Sequence, residues 1–151
     1  MFAQFGAALF QCQALERRLA LMLALIESPG PDQGTREELQ TLLDFLHGRT
    51  LGALITRYRK SGLIPEGYEP RLSKALDLRN HLAHHYFAEN AGQFASPAGR
   101  DSMISELNGH AAWTREVEQE LAAFTKQWHP KHGITDEAVR KAEEEIWKGG
   151  V

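Results

Sequence analysis

Apolar residues in this chain recur at spacings of three and four, in segments cut apart by proline and glycine, and nowhere alternate with polar residues as a half-buried strand requires. That periodicity admits helices and little else. From Phe2 to Ile26 no proline intervenes, and Phe5, Ala8, Cys12, Leu15, Leu19, Met22 and Ile26 form a heptad-like seam along one long helix. The run Ser28-Pro29-Gly30-Pro31-Asp32-Gln33-Gly34 ends it. Thr35 with Glu38 three residues on is a capping box, which opens a second helix burying Leu39, Leu42, Leu43 and Leu46. Gly48 stops that helix, and Thr50 caps a short third one that carries Leu51, Leu54, Ile55 and Tyr58 before ending at Ser61-Gly62. Its last turn, Arg57 to Lys60, is basic: a solvated helix end suits the macrodipole, and contact with a phosphate is the second reading.

After a proline-bounded loop, Leu63 to Pro70, the pattern predicts a fourth helix from about Arg71 to about Glu89, with an apolar stripe of Leu72, Ala75, Leu76, Leu82, Ala83, Tyr86 and Phe87. Asn90 and Gly92 close it. Ser96 as N-cap and Pro97 at the first helical position open a fifth helix reaching Trp128, with Met103, Leu107, Val117, Leu121, Phe124 and Trp128 on one face and His110 and Thr114 as polar members. Pro130 and Gly133 break the chain again, and Thr135 caps a last helix, Asp136 to Lys148, edged by Val139, Ala142, Ile146 and Trp147. The expected architecture is all-α: an up-down bundle of four main helices plus short ones over residues 1–129, with a helical extension over 130–151.

A length of 151 residues suits one domain able to bury a core without staples. Cys12 is the only cysteine, which removes an internal disulfide and any cysteine-rich zinc site and suits a reducing cytoplasm. The longest uninterrupted apolar run, Leu19 to Ile26, is too short to span a bilayer, and no basic leader region precedes it, so a soluble, cytoplasmic protein with no membrane partner is expected. With 17 Lys and Arg against 20 Asp and Glu the net charge is -3, so any phosphate site must be local.

The chemistry gathers in Asp77-Leu78-Arg79-Asn80-His81-Leu82-Ala83-His84-His85-Tyr86-Phe87. At the expected rotation, Arg79 falls on the apolar stripe beside Ala83 and Tyr86, while Asn80 and His84 lie about 100° and 140° round from it, along the adjacent edge. A guanidinium cannot shed its charge, so its place on that stripe needs an internal carboxylate, from Asp77, Glu16 or Asp44, or an opening that admits an anion. Arginine and histidine converging on one phosphate suit metal-independent RNA cleavage: the arginine stabilises the pentacoordinate phosphate and the imidazole exchanges a proton with the 2′-hydroxyl or the leaving oxygen. This needs no cofactor and no metal.

The pattern Arg79-Asn80-x-x-x-His84-x-Tyr86 resembles the motif of the HEPN superfamily of small all-helical proteins, and is similar above all to the HepT-like toxins paired with a nucleotidyltransferase antitoxin. The resemblance implies a HEPN-like bundle, homodimeric, that cleaves RNA in toxin–antitoxin or antiphage systems, with the arginine and histidine of both copies facing one cleft. It implies that Arg79 binds the scissile phosphate, Asn80 assists and His84 transfers the proton. Tyr86 would match the residue modified by a nucleotidyltransferase, here a separate protein because this chain carries no such signature.

Two other readings stand beside this one. A non-catalytic helical module of the same kind would dimerise and bind a nucleotide, nucleic acid or protein partner through the same cleft. A metal-binding bundle would use His81 and His85, four residues apart on one face, although structural zinc wants four ligands and solvated histidines are the default. Tyr86 is first a core or interface aromatic, His110 a hydrogen-bonded core histidine and Cys12 inert packing.

Overall fold

The computed structural model describes residues 1–28 and 36–148, and among these the chain is all-helical. The eight α-helices are α1 (Phe2–Glu27), α2 (Arg36–His47), α3 (Leu51–Ser61), α4 (Glu69–His84), α5 (Tyr86–Glu89), α6 (Ala91–Phe94), α7 (Pro97–Trp128) and α8 (Asp136–Lys148), with a 3-10 turn at His129–His132. No described helix is long and apolar enough to cross a membrane. The expected break at Pro29 to Gly34 and the Thr35 cap lie outside the described residues, as do the side chains of Ala142, Ile146 and Trp147 on α8.

Local signals place most boundaries. Thr50 Oγ1 accepts from the Ala53 N–H at 3.3 Å, and Gly62, at φ 70°, returns its N–H to the Arg59 carbonyl at 3.2 Å. Between those caps Leu51, Leu54, Ile55 and Tyr58 are all buried, as their spacing requires. At α7 the Ser96 hydroxyl accepts from the Gly99 N–H at 3.0 Å with Pro97 leading the helix, and Thr135 caps α8 through the Ala138 N–H at 3.2 Å. The start of α4 lies two residues ahead of expectation: Glu69 and Pro70 join the first turn, where a proline has no N–H to lose.

The chain forms two compact units, and α1 and α7 each contribute a length to both. One unit comprises Met1–Leu15 and Pro65–Gln119. Its core is Ala8 and Cys12 of α1, Leu82 of α4, Tyr86 of α5, and Met103, Leu107 and Ala111 of α7, flanked by Phe5, Leu9, Leu78 and Phe87. Cys12 is buried there as a small apolar residue. Polar contacts add direction: the buried Tyr68 hydroxyl donates to the Val117 carbonyl, Arg71 pairs with Glu116 at 3.1 Å, and the Lys74 ammonium lies 4.4 Å from the Trp113 ring centroid. The other unit comprises Glu16–Ile64 and Glu120–Val151. There, Ala20 to Leu25 of α1 are buried without interruption, so this half of the helix is enclosed on all sides rather than along one seam.

One boundary contradicts the expectation. The fourth helix does not run to Glu89: α4 stops at His84, His85 takes φ −127° and ψ −27°, and two four-residue helices follow. No proline or glycine lies between His81 and Glu89, so nothing local asks for the break. Long-range packing does: the turn lets Tyr86 enter the core and puts the Phe87 ring 4.7 Å from Phe5, 5.8 Å from Phe2 and 6.3 Å from Phe94.

Candidate functional site

The buried side of α4 is Leu72, Ala75 and Leu82, with Leu78 packed against the core. It is narrower than the apolar pattern suggests, since Ala83 is exposed while Leu76 and Phe87 are half-buried. Arg79 sits on the margin of that stripe, half-buried, and its Nη1 donates to Asn80 Oδ1 at 3.4 Å. Asn80, His84 and His85 are exposed. The structure thus places arginine, amide and imidazole on one helix, with the last two open to solvent and a residue as small as alanine between Arg79 and His84. Such a face can hold an anion against Arg79 and offer it a hydrogen-bonding amide and an imidazole.

Tyr86 belongs to a different setting. The turn at His85 carries it inward to full burial, against the rings of Phe5 at 5.9 Å and His81 at 5.7 Å. Its hydroxyl lies 3.3 Å from both the Met103 carbonyl oxygen and Glu106 Oε2, either of which can accept its one proton. Burial first, then the charge and hydrogen bond of Glu106, push the phenol up to about 12. A hydroxyl so placed is a core group in this conformation, and modifying it requires α5 to open.

Sequence reasoning missed Glu106. Its second oxygen, Oε1, lies 3.3 Å from Nε2 of His110, so one half-exposed carboxylate joins the buried phenol to a half-buried imidazole. The spacing of four between Glu106 and His110 was a legible signal for that pair, whereas the contact with Tyr86, twenty residues away, was not. His81 and His85 part company as well: His81 Nδ1 lies 3.5 Å from Glu89 Oε2, while the exposed His85 ring stands edge-on to His84 at 6.2 Å. Among the described residues no group of three or more His, Cys, Asp and Glu side chains is arranged to hold a metal ion.

Compared with known protein families, with curated proteins and with solved structures, the chain matches none. The fold defines it as an all-α protein among its described residues.

Proposed function

We propose that this protein is a metal-independent endoribonuclease of the HEPN type, built as an up-down bundle of four main helices and acting as a homodimer in a toxin–antitoxin or antiphage setting. The observation that carries the proposal is the presentation of Asn80 and His84 on the exposed face of the helix whose half-buried margin holds Arg79. In the proposed reaction the 2′-oxygen attacks phosphorus as the bond to the 5′-oxygen breaks. His84 of one copy takes the proton of the attacking 2′-hydroxyl and His84 of the other, as imidazolium, gives one to the leaving 5′-oxygen, while Arg79 neutralises charge on the phosphate and Asn80 orients it. One chain leaves this face open, and a second copy would enclose it. The exposed Phe2 and Phe10 on α1 suit the contact between copies. A separate nucleotidyltransferase remains the partner proposed for control.

The test is cleavage of a mixed RNA pool by purified protein in excess EDTA. Arg79→Ala and His84→Ala, matched to wild type by circular dichroism, should each lose about a hundredfold or more in rate. A strict requirement for a divalent metal would defeat the proposal. Intact RNA with all three proteins across pH would assign the same face to the non-catalytic binding module instead.

A further inference from the structure

The α2–α3 corner brings two guanidiniums to an exposed aromatic ring. The eighteen residues from Phe45 to Gly62 hold four basic residues, Arg49, Arg57, Arg59 and Lys60, and no carboxylate, in a chain whose net charge is -3. Phe45 is 45% exposed, with the Arg49 Cζ 4.1 Å from its ring centroid and the Arg57 Cζ 5.5 Å from the same centroid. Arg57 is held in place by a bidentate pair with Glu27, through Nε and Nη2, each at 2.5 Å. That carboxylate offsets part of the charge, and Asp44, which accepts from Gln40 at 2.8 Å, lies next to Phe45 in sequence. By formal count four basic residues of this stretch stand against those two carboxylates. The adjacent His47 is held below the usual histidine range by desolvation and then by Arg17, with Asp44 opposing.

An exposed phenylalanine alone is unremarkable, and so is one surface arginine beside it. What differs here is one aromatic ring shared by two guanidiniums, with Arg59 and Lys60 two and three residues on from Arg57 in the chain. Single-stranded nucleic acid is bound by that combination: aromatic and guanidinium planes stack the bases while cations follow the backbone. A duplex hides its base faces and would use only the charge.

We infer that Phe45, Arg49 and Arg57 form a docking site for single-stranded RNA, in which a base stacks on the Phe45 ring while Arg49 and the neighbouring cations hold its phosphates. The choice of RNA rests on the proposed ribonuclease function.

Binding is measured with the full chain by fluorescence anisotropy, using a short labelled 2′-O-methyl strand of mixed sequence. Such a strand lacks the free hydroxyl that cleavage needs. Phe45→Ala should bind about tenfold more weakly, and Phe45→Trp should restore binding, because stacking needs a ring rather than this particular one. Arg49→Gln should lower the slope of log affinity against log salt by about 0.7, the share of one phosphate on a single strand, while Phe45→Ala leaves that slope unchanged. The labelled duplex should bind more weakly than the strand. Wild-type affinity in Phe45→Ala overturns the inference, as does a loss that Trp fails to restore. An acidic peptide that displaces the strand at equal charge overturns it too and reassigns the corner to a protein partner. The two proposals fail separately: binding as described without cleavage of ordinary RNA removes the ribonuclease alone, and cleavage with no effect of Phe45 or Arg49 on binding removes the docking site alone.

Discussion

Tyr58 and Tyr86 are phenols that the fold holds protonated beyond their ordinary range. Burial pushes both up to about 12 from an ordinary 10.0, with Glu106 adding to the shift at Tyr86. A folded-state value above the unfolded one means that the native protein keeps a proton the unfolded chain gives up. The stabilisation is therefore complete below pH 10, falls as pH rises from about 10 and is gone beyond about 12. Alkaline titration should accordingly show tyrosinate absorbance rising together with loss of helical circular dichroism. Tyr86→Phe, which removes one of these groups, should move that transition to higher pH while costing about 1 kcal/mol at neutral pH for the lost hydrogen bond. Ionisation near pH 10 with the helices intact would show that these hydroxyls are not held as described. The phenol of Tyr86 was legible as a core aromatic from its place in the apolar pattern. Its acceptors were not, because Met103 and Glu106 come from a helix that the sequence does not align with it.

Two glycines of α7 separate what a helix tolerates from what its neighbours forbid. A Cβ on Gly99 would overlap the backbone carbonyl of Gln93 in α6, whereas one on Gly109 meets open space. Gly99→Ala should therefore destabilise the protein by roughly 1–3 kcal/mol through forced displacement of backbone. Gly109→Ala should stabilise it by about 0.8–1 kcal/mol, the ordinary gain in helix propensity. Denaturant or thermal unfolding of both variants measures the contrast; equal effects would mean that α6 yields freely to α7. The caps of α3, α7 and α8 were readable because Thr50, Ser96 and Thr135 bond to amides within three residues. The end of α4 at His84 was not, since it answers to Phe2, Phe5 and Phe94 rather than to its own neighbours.

For the molecule as a whole, the proposed function requires two chains. Light scattering should give twice the 17.0 kDa of one chain, and Phe10→Glu should yield a folded monomer without cleavage activity. A monomeric wild type that still cuts RNA would rule out a shared cleft. The sequence by itself determined the all-α class, the helices between their caps, the burial of Leu51, Leu54, Ile55 and Tyr58, and the presence of Arg79, Asn80 and His84 on one helix. Those properties follow from spacing and from hydrogen bonds between near neighbours, which a linear pattern records. Only the tertiary structure decided that His85 breaks the helix, that Ala83 faces solvent, that Glu106 joins Tyr86 to His110, and that Arg49 and Arg57 share the ring of Phe45. Most of these depend on the burial and contacts of groups on different helices, whose packing no local period encodes.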